Sequence, residues 1–139
     1  MKHNLILRVI SKILIPVIIL FALYVQFHGD YGPGGGFQAG VIFSVAFILY
    51  ALVFGLETAE RVMPVNILRI LASLGVLIYA GTGFASLLLG GEFLNYSVLA
   101  SNSVAGQHLG ILVIELGVGI TVSAVMLIIF FTFAGRGRT

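Results

Sequence analysis

The chain has 139 residues, of which 60% are hydrophobic and 9% charged, with a formal net charge of +2 and no cysteine. Soluble domains carry about 25% charged residues. A chain this small and this apolar could not hide its surface from water, so an integral membrane protein is expected. Without cysteine, disulfides and thiolate metal sites are excluded. No interleaving of basic and aromatic residues points to nucleic acid.

A membrane-spanning helix needs roughly 20 mainly apolar residues. Four runs meet this, at about 5–27, 37–56, 68–89 and 109–133. They are continuous rather than alternating and far longer than the roughly 10 residues of a barrel strand. The expected fold is all-α, four transmembrane helices in a single membrane domain over 1–139.

The first run opens with Arg8 and Lys12 and contains Pro16, which removes one helix hydrogen bond. It ends in "YVQFHGD" rather than at a small-residue cleavage site, so it is expected to stay as a span. The segment after it, "HGDYGPGGGFQAG", is rich in glycine. A Walker loop needs a lysine after the last glycine, and a dinucleotide fingerprint needs a βαβ unit; neither context exists here. Pro33 suits a turn, and Gly34, Gly35 and Gly36 can take positive φ. Gly36 and Gly40 make a GxxxG step at the head of the second span, which permits close helix contact in lipid. A plain tight turn is one reading of this loop. Close docking, with another protein as the preferred partner, is the other.

The second and third runs are joined by a short charged stretch with Glu57, Glu60 and Arg61, read as a solvated helix end. Gly75, Gly81, Gly83, Gly117 and Gly119 are read as packing sites. The connection of residues 90–107 is the longest, and Phe93 and Tyr96 suit a membrane interface. All seven Lys and Arg residues (2, 8, 12, 61, 69, 136 and 138) fall on one side of a four-span topology. The positive-inside rule then puts both termini in the cytoplasm.

Glu115 is the one charge well inside a run, about 9 Å beyond Leu109 by helix rise. A carboxylate there should face protein or water and not lipid. It reads equally as a proton- or sodium-handling group or as a structural anchor to another helix. His108 lies two turns earlier on the same face. His28 and Asp30 flank the glycine loop and are either an ion approach or solvated loop residues. Together, Glu115, His108, His28 and Asp30 are the ion-path candidates. Ser11, Ser44, Ser73 and Ser123 have no His or acid nearby in sequence, so no enzyme, cofactor or metal site is expected.

The stretches "HGDYGPGGGFQAGVI" and "GQHLGILVIELGVGI" resemble the MnhB family, one of the small subunit types of the Mrp-type multisubunit Na+/H+ antiporters. Members carry a P-G-G-G-F run between their first two helices, here Pro33 to Phe37, followed by Gly40. Length and span number also match. Asp30 stands where a histidine is common and Ala39 where a second glycine is common. The resemblance implies an accessory subunit of a monovalent cation:proton antiporter complex in a bacterial or archaeal cell membrane, with the glycine motif serving assembly. Its partners would be other hydrophobic subunits and the lipid bilayer, and the complex would move Na+ and H+. One alternative is a homologous subunit of a membrane hydrogenase related to respiratory complex I. Another is a small homo-oligomeric pore, which would need a polar stripe along a helix.

Overall fold

The computed structural model describes residues 4–29 and 31–137, all helix, turn or loop, with no strand among them. Five α-helices follow in order: α1 (Leu5–His28), α2 (Gly36–Phe54), α3 (Leu56–Val62), α4 (Val65–Leu88) and α5 (Ser103–Ala134). All but α3 are long and apolar enough to cross a membrane.

The breaks between helices have local causes. Gly55 at φ 102° ends α2 and begins α3, a conformation that side chains rarely adopt. Proline disfavours helical backbone in the residue before it, so Met63 is non-helical ahead of Pro64 and α4 starts at Val65. Hydropathy does not separate the short α3 as a helix of its own, because its apolar edge merges with the second run.

Helix α5 starts six residues before the expected Leu109. Asn102 caps it, its side chain accepting from the Val104 N–H at 3.0 Å. Hydropathy alone stops at the polar "SVAGQH", whereas a cap and backbone hydrogen bonds continue through it. His108 is therefore an exposed helical residue and not part of a loop.

The connection before α5 folds back onto it. Gln107 Nε2 donates to Ser97 Oγ at 2.8 Å. A Cβ on Gly110 would strike the Tyr96 ring, and one on Gly106 would strike the Tyr96 carbonyl. Burial, and then Tyr79, push the Tyr96 phenol above its ordinary 10.0.

Helix α1 packs on α2, and α2 and α4 both pack on α5, while α1 touches α5 only sparsely. The closest helix approaches use small residues. A Cβ on Gly40 would lie 2.7 Å from the Gly119 carbonyl oxygen, and one on Gly117 would lie 2.9 Å from that of Gly75. Thr121 Oγ1 donates to the Gly117 carbonyl at 2.9 Å and reaches the Ala72 carbonyl at 3.3 Å. Gly83 packs under the Phe93 ring. Gly81 departs from the expected packing role: nothing lies within 4 Å of its built Cβ, because it sits on the exposed side of α4.

The largest buried cluster, Ala51, Ala59, Leu68, Ala124, Leu127 and Phe131, joins α2, α3, α4 and α5 at the end away from the glycine loop. Arg8 lies over the Phe54 ring at 5.4 Å, which puts the start of α1 beside the end of α2. Only 11% of the apolar window of α1 is buried, so this helix is held by one face alone.

Candidate functional site

The glycine loop docks on α5 of the same chain. Gly35, the N-cap of α2, has φ 141°, and both Gly35 and Gly36 are buried. A Cβ on Gly36 would run into the backbone carbonyl of Glu115. The close approach at Gly36 and Gly40 is thus made to the chain's own last helix, not to another protein. The loop and α5, far apart in sequence, meet in space at these two positions.

The Glu115 side chain lies on the loop itself. A Cβ on Gly29 would sit 2.6 and 2.8 Å from its two carboxylate oxygens, and one on Gly35 would sit 3.2 Å from Oε1. Only glycine leaves room for a carboxylate between the end of α1 and the start of α2. The first N–H groups of a helix have no partner within it and carry the positive end of its dipole. Helix α2 has no acidic residue in its first turn and no side-chain cap of its own, and the Glu115 carboxyl lies beside that end.

Glu115 is half-buried, twelve residues after Ser103, hence about 18 Å along α5. His108 lies about 10 Å above it along the helix and is exposed. His28 is also exposed. Its ring stacks on Tyr24 at 5.0 Å and leans on Tyr31 at 6.1 Å. Asp30 lies outside the described residues. In the motif, Pro33 and Phe37 are exposed and Gly34 is half-buried against the Val25 carbonyl. Of the sequence candidates, the structure brings together Glu115 and the glycines of the motif. Among the described residues no group of three His, Cys, Asp or Glu could hold a metal ion. The Ser44, Ser73 and Ser123 hydroxyls donate to carbonyls of their own helices, at Val41, Arg69 and Ile120.

Sequence reasoning missed Gln26. It is 6% exposed, and its Nε2 has no hydrogen-bond partner among the described residues. Its Oε1 packs 2.5 Å from where a Gly119 Cβ would be. Gln26 lines a cavity of about 250 Å³ bounded by α1, α2, α4 and α5, whose other walls include Leu23, Phe43, Met63, Leu71 and Ile120. The available signal was a lone glutamine inside an apolar run.

Residues 6–128 match the family described as "Domain related to MnhB subunit of Na+/H+ antiporter". The chain is 35% identical over 143 aligned positions to the protein named "Putative antiporter subunit mnhB2" of Staphylococcus aureus strain Newman, and each chain is covered in full. The same identity and coverage hold for the proteins of that name in strains JH1 and COL. With its glycine motif, its four spans and a match over nearly its whole length, this chain belongs to the MnhB family.

Proposed function

We propose that this chain is an accessory membrane subunit of a multisubunit Na+/H+ antiporter in the cell membrane. The full-length match to an antiporter subunit carries the reading. The geometry supports a subunit rather than a complete transporter. Helix α1 is attached by one face, and the long helices expose large apolar residues along much of their length. The cavity between the helices is lined mainly by apolar groups. A transport path needs polar groups across the whole bilayer, and neighbouring subunits would supply them.

Glu115 is the residue we assign to ion handling, at the boundary with those neighbours. His108 above it and His28 and Asp30 beside the loop form its approach from the outer side. Both termini lie in the cytoplasm, following the placement of the basic residues.

The test is purification through a tag on this chain. The expected result is co-purification of the other hydrophobic subunits, Na+-dependent proton exchange by the assembled complex, and none by this chain alone in proteoliposomes. Exchange by the single chain would overturn the reading. So would a complex whose other subunits carry iron and nickel.

A further inference from the structure

We propose that the exposed face of α1 docks on a membrane helix of a neighbouring subunit, and that this helix presents a carboxylate to the Lys12 ammonium and a hydrogen-bond donor to the Lys12 carbonyl. Such a partner exists only if this chain is a subunit, the reading drawn from the family match. Lys12 is exposed and makes no hydrogen bond or ion pair among the described residues. Helix α1 contains no acidic residue that could neutralise it. Arg8 lies over the ring of Phe54, the last residue of α2, so it is level with the end of that span. Lys12 is four residues further along, about 6 Å deeper. A charge inside a span is costly and calls for a partner.

The backbone at the same residue carries a second unmet need. The N–H that would ordinarily bond the Lys12 carbonyl belongs to residue 16, and Pro16 has none. In lipid no water is present to replace that bond, so a neighbouring helix or a polar side chain has to.

Both groups lie on one stripe of α1. Leu5, Val9, Lys12, Pro16, Leu20 and Phe27 are all exposed and recur every three or four residues, the spacing at which one helix meets another. The stripe held against the rest of the chain is a different one, with Ser11, Ala22 and Gln26.

The chemistry selects the occupant. A phospholipid phosphate accepts from an ammonium but has no donor for a carbonyl. The Lys12 carbonyl points toward the C-terminal end of α1, deeper into the bilayer and away from the headgroups nearest Lys12. A helix bearing an Asp or Glu, with a hydroxyl or amide about one turn away, meets both needs.

The test places the photo-crosslinker p-benzoylphenylalanine at Val9, which leaves Lys12 and Pro16 in place, and illuminates the assembled complex. Mass spectrometry then maps the adducts. The expected adduct is a membrane helix of one neighbouring subunit with an Asp or Glu within about two turns of the attachment point. Adducts with lipid alone would assign Lys12 to the headgroups and overturn the proposal, as would a helix without such an acid. Lys12→Ala should lower co-purification of that subunit at least about tenfold relative to Lys2→Ala, which removes the same charge outside the span. Lys12→Glu combined with a lysine in place of the neighbour's acid should restore it. Unchanged co-purification in Lys12→Ala overturns the proposal. The adduct is formed with Lys12 intact, so it decides the matter even if Lys12→Ala fails to insert. Wild type that brings down no other subunit would sink the subunit reading itself, whereas wild type that co-purifies but labels only lipid sinks the docking face alone.

Discussion

Gly36, the first residue of α2, lies so close to the backbone of Glu115 on α5 that a side chain of any size would overlap the Glu115 carbonyl. The obstacle is backbone, which cannot rotate away as a side chain can. Gly36→Ala should therefore push α2 off α5, with an overpacking cost of about 1–3 kcal/mol. Gly35→Val adds strain at φ 141° and should be at least as harmful. Loss of the intact complex on native gels is the expected readout. Wild-type assembly of both variants would show an ordinary turn. Gly81→Ala is the control. It has open space around it and should be neutral or favour the helix by roughly 0.5–1 kcal/mol.

Thr121 ties α5 to α4 through the Ala72 carbonyl at 3.3 Å, beside Gly75. Hydrogen bonds between membrane helices are worth about 0.6 kcal/mol on average, so Thr121→Val should cost little. Gly75→Val should cost far more, because its Cβ would meet Thr121 and the Gly117 carbonyl together. Denaturation of the purified complex in a graded detergent series ranks the two. A more harmful Thr121→Val would place the energy of this seam in the hydrogen bond and not in close packing.

Glu115 separates ion handling from anchoring. Glu115→Gln keeps shape and hydrogen bonding but cannot release a proton. If the carboxylate handles ions, exchange per assembled complex should fall at least about tenfold with assembly intact, and Glu115→Asp should retain part of it with a shifted pH profile. Gly29→Ala tests position without removing the acid, since its Cβ would displace the carboxylate. A shifted pH profile is expected there too. Wild-type exchange across the pH range in Glu115→Gln would take this residue off the ion path.

The Tyr96 phenol gives a pH prediction. Burial first, and Tyr79 second, raise its pKa above 10.0. The folded state then binds this proton more tightly than the unfolded chain, so the stabilisation is complete below pH 10.0 and is lost as pH rises through the folded value. Proteolysis of the segment 89–102 in wild type should increase above that pH. Tyr96→Phe should remove the increase. An identical rise in both proteins would assign the transition to other groups.

Hydropathy read along the chain was enough to identify four spans, because it depends on each residue's own transfer energy and needs no knowledge of its neighbours. The Pro33–Phe37 motif pointed to the family for a similar reason: it is contiguous. Contact decided the rest. Nothing in the sequence says that Glu115 falls on Gly29 and Gly35, since these positions are remote along the chain and meet only once α5 packs on α2. Gly75 and Gly81 look alike as letters, yet six residues turn a helix by more than one and a half turns, so one faces Thr121 and the other open space. Gln26 is likewise one polar letter in an apolar run, and its burial exists only because α1 leans on α2 beside Gly119. The sequence determined solvent, span number and kinship. The tertiary structure decided which small residues bear contacts and which polar groups are enclosed, because those are properties of pairs of distant residues.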